Sequence, residues 1–284
     1  VWGGHQDAMS VREVGWIQMY CETVQEVLDT TILAYKVAEH REVMLPVNVC
    51  HDGNYLSYGA ARVELPSQEA VDAFLPPPAT NWHAALDPSR PMAVDPLTGG
   101  AGGPGPSLFV RYRKGQCAGM QNALAVIEQA HEDWARIVGR RHAPLVEPYR
   151  MEDAEFALVT LGSMTGAGKD AVDEARERGL RVGLVKVKTY RPFPVQAIAR
   201  ALSGLRAVGV VDRSVSFGWN CGPLYQDVIG ALQFASQRPA AMSFIGGLAG
   251  ADITTEHFGR VIERVQALAK DGVAGETVWL NEKD

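Results

Sequence analysis

Phe156-Ala157-Leu158-Val159-Thr160-Leu161 opens the stretch that decides the fold: an apolar run of strand length followed by a helical pattern over Ala167–Arg178. The same unit then repeats. Strand Arg181–Val187 precedes helix Val195–Leu202, strand Ala207–Val211 precedes helix Pro223–Phe234, and strand Ala241–Ile245 precedes helix Thr255–Leu268. Apolar runs without polar alternation are what strands covered on both faces require. Their regular exchange with helices across short connections predicts an α/β unit with a mostly parallel sheet, here over residues 149–284. The pattern changes between Pro144 and Arg150, where the domain boundary is placed.

Working upstream, Val24, Val27, Leu28, Ile32, Leu33, Tyr35 and Val37 recur at helical spacing and predict a helix over Thr23–Glu39. Val43–Cys50 reads as a buried strand in which Pro46 is tolerable only near the start or at an edge. His51-Asp52-Gly53-Asn54 supplies a turn at that strand's C-terminal end, the end where open α/β sheets gather ligands. A short helix over Ser67–Phe74 leads into a Pro- and Gly-crowded stretch, 76–106. It contains Gly99-Gly100-Ala101-Gly102-Gly103-Pro104, a composition that builds no core and reads as a surface excursion or partner-wrapping loop. A helix over Ala118–Gly139 puts Met120, Leu124, Ile127, Trp134 and Ile137 on one side. It ends at Arg140-Arg141, cations suited to a helix C-terminus.

The 284 residues carry 27 Lys+Arg against 33 Asp+Glu, a net charge of -6. Such a balance argues against nucleic acid or an anionic membrane as the main partner. No apolar run approaches the ~20 residues of a membrane-spanning helix. The stretch Val1–Asp7 lacks the basic start and apolar core of a signal peptide. Cys21, Cys50, Cys117 and Cys221 lie too far apart for the paired spacings of zinc or iron–sulfur sites. Reduced thiols in a cytoplasmic protein, with no metal held by this chain, are therefore expected.

Gly166-Ala167-Gly168-Lys169-Asp170-Ala171 matches G-x-G-x-x-A after a strand, but the next strand ends in Lys186-Val187-Lys188-Thr189, where a dinucleotide site needs an acid. Small residues for close helix packing explain it better, although an anion could use the amides. Asp212-Arg213-Ser214-Val215-Ser216-Phe217-Gly218 closes a strand with charge and hydroxyls, and reads equally as a ligand or inter-subunit loop and as a capped turn. Tyr190-Arg191-Pro192-Phe193-Pro194 reads as a helix start preset by proline in preference to a rigid aromatic docking turn. His5, Asp7 and His51 lack partners at ligand spacing and read as surface or hydrogen-bonded residues.

Taken together, an ordered series of motifs resembles a known family. Trp2-Gly3-Gly4-His5-Gln6-Asp7-Ala8-Met9-Ser10, Gly15-Trp16-Ile17-Gln18, Asp52-Gly53 with Leu56-Ser57, Glu152-Asp153-Ala154-Glu155, Arg191-Pro192-Phe193-Pro194, and Asp212-Arg213 with Ser216-Phe217-Gly218 run nearly the whole chain. The series is similar to the alpha subunit of thiamine-diphosphate-dependent 2-oxoacid:ferredoxin oxidoreductases, the pyruvate:ferredoxin oxidoreductase group. The resemblance implies that residues 1–144 are the later part of the pyrimidine-binding domain and 149–284 a transketolase-C-terminal-like domain. It places the cofactor-activating carboxylate and the substrate-binding arginine upstream of Val1, so no catalytic residue is nominated here.

The resemblance further implies CoA-dependent oxidative decarboxylation of a 2-oxo acid, with the cofactor as electron sink. Thiamine diphosphate and its Mg2+ would be shared with a beta-type subunit, [4Fe-4S] clusters would sit on partners, and gamma-type and ferredoxin-like subunits would complete a complex feeding ferredoxin or a flavin/NAD-linked acceptor. Val1 and Trp2 become candidate pocket walls, with Gly3, Gly4, His5 and Asp7 shaping the loop. Asp52, Asn54, Tyr58, Asp212, Arg213 and Ser216 become strand-end or interface candidates. The family usually has an acid at Gly4, an aromatic at Asn54 and a His at Tyr58. With the Gly-Pro insertion, these departures suggest a branch acting on a bulkier or aromatic 2-oxo acid such as phenylglyoxylate. The rival readings are a non-catalytic scaffold subunit of such a complex and a transketolase-like transferase.

Overall fold

The computed structural model describes residues 3–75, 77 and 108–282. Val1, Trp2 and, apart from Pro77, the Pro/Gly-rich stretch lie outside the described residues. In chain order the elements are α1 (Gln6–Ser10), β1 (Ile17–Tyr20), α2 (Val24–Ala38), β2 (Val47–Cys50), α3 (Gln68–Phe74) and α4 (Leu108–Val138). They continue as β3 (Val146–Tyr149), β4 (Phe156–Leu161), α5 (Thr165–Glu177), β5 (Val182–Val187), β6 (Thr189–Arg191) and α6 (Val195–Leu202). The last are β7 (Ala207–Asp212), α7 (Pro223–Leu232), β8 (Ala240–Ile245), α8 (Thr255–Asp271) and β9 (Val278–Trp279).

Two sheets result. The larger has the order β3-β5-β4-β7-β8-β9, parallel except for the antiparallel edge strand β3. Strands β4, β5 and β7 are buried along their whole length, as their predominantly apolar sequences require, with Thr160, Lys186 and Asp212 buried among them. The smaller has the order β2-β1-β6, with β2 parallel and β6 antiparallel to β1. Its own core joins Ile17, Met19, Leu33 and Val37 to Ile127 and Trp134 of α4, and Phe74 meets Trp134 edge to face at 5.0 Å. Met9, Tyr20 and Cys50 instead pack into the core of the larger sheet, so the two units share apolar contacts.

Three short strands carry no period-two signal in the sequence. β1 holds the buried Gln18, β3 holds Pro148, and β6 lies in the Tyr190-Arg191 stretch that reads as a helix start. The segment assigned to the domain boundary is therefore an edge strand. β2 begins at Val47 rather than Val43, because Met44 adopts a left-handed φ of 47° and Pro46 donates no ladder hydrogen bond. α4 begins ten residues before the expected Ala118: residues 109–115 suit a helix but are exposed all round, so burial stamps no period on them.

Lys188 is where the chain passes from one sheet to the other, as the only residue between β5 and β6. Its N–H donates to the Leu145 carbonyl at 2.9 Å and its carbonyl accepts from Tyr20 N–H at 2.8 Å. Its ammonium, 0% exposed, reaches α2, donating to Thr30 Oγ1 at 2.8 Å and meeting Glu26 Oε1 at 2.9 Å. Beside it the Lys186 ammonium bonds Glu22 at 2.8 Å, Glu26 at 3.2 Å and Glu147 at 3.1 Å. Lys169 of α5 bonds Glu22 and Glu147 again. The motif glycines fall in this region too: a Cβ on Gly168 would lie 2.8 Å from Leu184 Cδ1, so the G-x-G pattern serves helix–strand contact inside α5.

Burial opposes ionisation of Glu26, but the ammonium groups of Lys188 and Lys186 outweigh it and lower the carboxyl from 4.5 to about 2. Because the folded value lies below the unfolded one, this stabilisation is complete above about pH 4.5 and fades as pH falls toward 2. Thermal melts between pH 6 and pH 2 should show that loss, and Glu26→Gln should flatten that part of the profile while lowering stability at neutral pH. An unchanged profile in the variant would contradict the assignment.

Candidate functional site

The C-terminal ends of β2, β4, β7 and β8 converge, and the loops leaving them build one buried polar cluster. The loop after β2 supplies Asp52, 2% exposed, whose Oδ1 lies 2.6 Å from His5 Nε2 and whose Oδ2 accepts the Ser163 N–H at 2.6 Å. The loop after β7 supplies Arg213, also 2% exposed, whose Nη1 is 3.4 Å from Asp52 Oδ1 and 3.5 Å from Ser163 Oγ. The guanidinium lies over the Tyr55 ring at 4.5 Å, and Tyr55 donates its hydroxyl proton to Asp252 Oδ1 at 2.6 Å.

Burial opposes the Asp52 charge, but the hydrogen bond from His5 and the Arg213 guanidinium hold its carboxyl well below the usual carboxylate range. The carboxylate is ionised across the physiological range. It ties the N-terminal loop, the β2 loop, the turn after β4 and the β7 loop to one point.

Backbone bonds complete the clamp. His5 N–H donates to the Arg213 carbonyl at 3.0 Å, Gly250 N–H to the Gly3 carbonyl at 2.8 Å, and Gln6 takes both the N–H and the carbonyl of Val215. Two glycines are compelled by this packing. Gly162 sits at φ 73°, where a Cβ would lie 2.9 Å from Asp52 Oδ2, and a Cβ on Gly247 would lie 2.4 Å from Arg213 Nε. Gly4 is different, since its φ is not left-handed and a Cβ there meets nothing nearer than the Arg213 carbonyl at 3.7 Å. Neither backbone nor packing demands a glycine at position 4.

Of the residues singled out in the sequence, the structure brings Gly3, Gly4, His5, Asp52 and Arg213 together. Val1 and Trp2 lie outside the described residues, and the remaining described candidates stand apart from the cluster. Asp7 and Tyr58 are exposed, and Asn54 is an exposed turn residue at φ 70° that receives support from Ser57. Asp212 points the other way and accepts the N–H groups of Leu224 and Tyr225, capping α7. Burial outweighs those donors and pushes its carboxyl up to about 7. Ser216 donates to Gln226 Oε1 at 3.1 Å. Tyr55, Ser163, Gly247 and Asp252 carry no sequence signal beyond loop position. Among the described residues no group of three or more His, Cys, Asp or Glu could hold a metal ion.

Comparison with known proteins follows this geometry. Residues 1–105 match the family model described as pyruvate flavodoxin/ferredoxin oxidoreductase, thiamine diphosphate-binding, and residues 154–258 match pyruvate:ferredoxin oxidoreductase core domain II. The chain is 66% identical, over its full length and 68% of the relative, to the NADH-dependent phenylglyoxylate dehydrogenase subunit alpha of Aromatoleum evansii. It is 36% identical to the pyruvate synthase subunit PorA of Methanosarcina barkeri, over all of this chain and 69% of that one. PorA of Thermotoga maritima is 39% identical over 99% of this chain and 69% of its own length. Among solved structures, the 2-oxoglutarate:ferredoxin oxidoreductase of Magnetococcus marinus shares the fold with a TM-score of 0.56 and 16% identity, over 93% of this chain and 45% of that one.

Asp52→Ala leaves the Arg213 guanidinium buried without its carboxylate, a loss of about 3–5 kcal/mol. Chemical denaturation reads this directly, with Tyr58→Ala, an exposed residue outside the cluster, expected within ~0.5 kcal/mol of the parent. Equal effects of the two substitutions would contradict the cluster's importance.

Proposed function

The chain belongs to the pyruvate:ferredoxin oxidoreductase family of thiamine-diphosphate enzymes, and from that membership we propose that it serves as the alpha-type subunit of a multi-subunit complex for CoA-dependent oxidative decarboxylation of an aromatic 2-oxo acid. The observation carrying this reading is the 66% identity to a phenylglyoxylate dehydrogenase alpha subunit, set against 36% to a pyruvate synthase subunit over the same length. The free space at Gly4 supports it. If the loop opened by Trp2 walls the substrate pocket, a missing side chain beside the Arg213 carbonyl leaves room for a ring and removes a charge that an apolar substrate would desolvate.

The described residues do not fit the Mg2+–diphosphate end of the cofactor. They offer no metal donor set, and the one buried arginine of the cluster lies 3.4 Å from Asp52 Oδ1 and over the Tyr55 ring, with its Nε left without a hydrogen-bond partner. We therefore assign the diphosphate, its Mg2+ and the [4Fe-4S] clusters to partner subunits of beta, gamma and ferredoxin-like type. The NADH named in the relative favours a flavin/NAD-linked acceptor over ferredoxin. In this division residues 1–144 would embrace the pyrimidine side and 149–284 would form the transketolase-C-terminal-like unit. The chain's own residues position: Asp52, His5 and Arg213 hold the Gly3-Gly4 loop still against the strand ends, so that a pocket wall is in place before substrate arrives. Among the described residues no helix is long and apolar enough to cross a membrane.

Steady-state turnover by the native complex, with CoA and an artificial electron acceptor, tests the substrate. Phenylglyoxylate should exceed pyruvate in kcat/KM by at least about tenfold, the lower end of what an apolar pocket difference delivers. Gly4→Glu should lower kcat/KM for phenylglyoxylate with little change in melting temperature. Turnover of pyruvate alone would overturn the reading.

A further inference from the structure

We propose that Tyr55 is a positioning residue for the 2-oxo acid: acting through Arg213 and Gly3, it sets where the Gly3-Gly4 loop stands against the loop after β8. The inference rests on the reading that the loop opened by Trp2 walls the substrate pocket.

Tyr55 and Asp52 belong to one tight turn, in which Tyr55 N–H donates to the Gly53 carbonyl at 3.0 Å and Leu56 N–H to the Asp52 carbonyl at 3.1 Å. The turn meets Arg213 twice. The Asp52 carboxylate lies at the edge of the guanidinium, and the Tyr55 ring lies on its face with the centroid 4.5 Å from the central carbon. The edge contacts are long, 3.4 Å to Asp52 and 3.5 Å to Ser163, and Nε has no hydrogen-bond partner among the described residues. Contacts of that length leave the plane of a guanidinium loosely held. The flat face of Tyr55 supplies the missing constraint. The Arg213 carbonyl accepts the His5 N–H and is the atom a Cβ on Gly4 would approach, at 3.7 Å, so the placement of Arg213 passes directly to the loop.

The hydroxyl acts at the other end of the ring. It donates to Asp252 Oδ1 at 2.6 Å, with the Gly250 and Ala251 carbonyls at 3.1 and 3.3 Å. Burial and the Asp252 carboxylate push the phenol above its ordinary value, so the proton stays in place to be donated. The segment it grips is held against backbone preference: Gly247, Ala249 and Gly250 all have left-handed φ, and at Ala249, φ 52°, a Cβ makes that costly. Asn281, just beyond β9, secures the same segment by accepting Gly247 N–H at 2.7 Å and donating to the Asp252 carbonyl at 2.9 Å. Gly3 lies in the slot between Tyr55 and this segment. A Cβ on Gly3 would meet Gly53 O at 2.9 Å, Tyr55 Cε2 at 3.4 Å and Gly250 Cα at 3.5 Å, and the Gly3 carbonyl accepts Gly250 N–H at 2.8 Å. Tyr55 is thus one wall of the slot and the tie that holds the other, and Gly4 follows Gly3 by one residue.

The test uses the native complex with CoA and an artificial electron acceptor. Tyr55→Phe keeps the ring under Arg213 and removes the grip on Asp252. It should lower kcat/KM for phenylglyoxylate roughly tenfold, mainly through KM, and leave that for pyruvate unchanged, because a small 2-oxo acid does not reach the wall. Asp252→Ala should have the same effect, and the double variant should lose no more than either alone. Asp252→Asn, which still accepts the proton, should behave as the parent. In hydrogen exchange, Tyr55→Phe should speed exchange in peptides covering 3–9 and 246–252 and leave α8 unchanged. Equal loss for both substrates together with a lower melting temperature would mark a role in folding alone and overturn the proposal. An unmoved substrate ratio with unmoved exchange would overturn it too. Should the parent prefer pyruvate or turn over neither acid, the aromatic reading falls, and the exchange measurement alone decides for or against Tyr55.

Discussion

The ammonium of Lys188, sealed from water between α2 and the junction of the two sheets, is the interaction on which the rest of the structure depends. A cation removed from solvent is tolerated only where carboxylates and oxygens surround it. Glu26, Thr30 and, through Lys186, Glu22 and Glu147 meet that demand. Glu26 and Thr30 come from the helix of the small unit, Glu22 from the turn before it, and Glu147 from the edge strand of the large one. The two sheets are therefore fixed relative to one another by a charge that cannot be left unpaired, as well as by shared apolar packing.

That fixed relation is what allows a site to form at the strand ends. Asp52 follows a strand of the small sheet, whereas Ser163, Arg213 and Gly247 follow strands of the large one. A cluster drawn from both sheets keeps its geometry only if the sheets do not slide. The buried ion network at one place and the His5–Asp52–Arg213 cluster at another act as two attachment points between the same bodies. The loop carrying Gly3 and Gly4 hangs from the second of them through the His5 and Gly250 backbone bonds.

The regular half of the chain was legible because strands such as Phe156–Leu161 and Ala207–Asp212 are covered on both faces, which writes itself into the sequence as predominantly apolar runs. β1, β3 and β6 were not legible: each is four residues or fewer, and Gln18, Pro148 and Arg191 break any apolar or alternating pattern. Lys186 and Lys188 illustrate the limit further. In sequence they only disqualify a dinucleotide fingerprint, whereas in space they are the charged centre of the molecule. His5, Asp52 and Arg213 could each be named from loop position and family resemblance, yet nothing in their separation along the chain announces that they touch. Asp212, beside Arg213, shares its loop chemistry but turns inward to cap a helix, a distinction only the backbone direction makes.

Family membership gives these loops their chemical setting, and among the described residues no group of three or more His, Cys, Asp or Glu could hold a metal ion. The account therefore stands on the chain acting inside a cofactor-bearing assembly. Native mass spectrometry of the protein purified from its own cells, with thiamine and iron assays on the same sample, tests this most directly. The account predicts that the chain travels with other polypeptides, carrying thiamine diphosphate and iron in amounts proportionate to the particle. A lone, colourless, thiamine-free chain would contradict it.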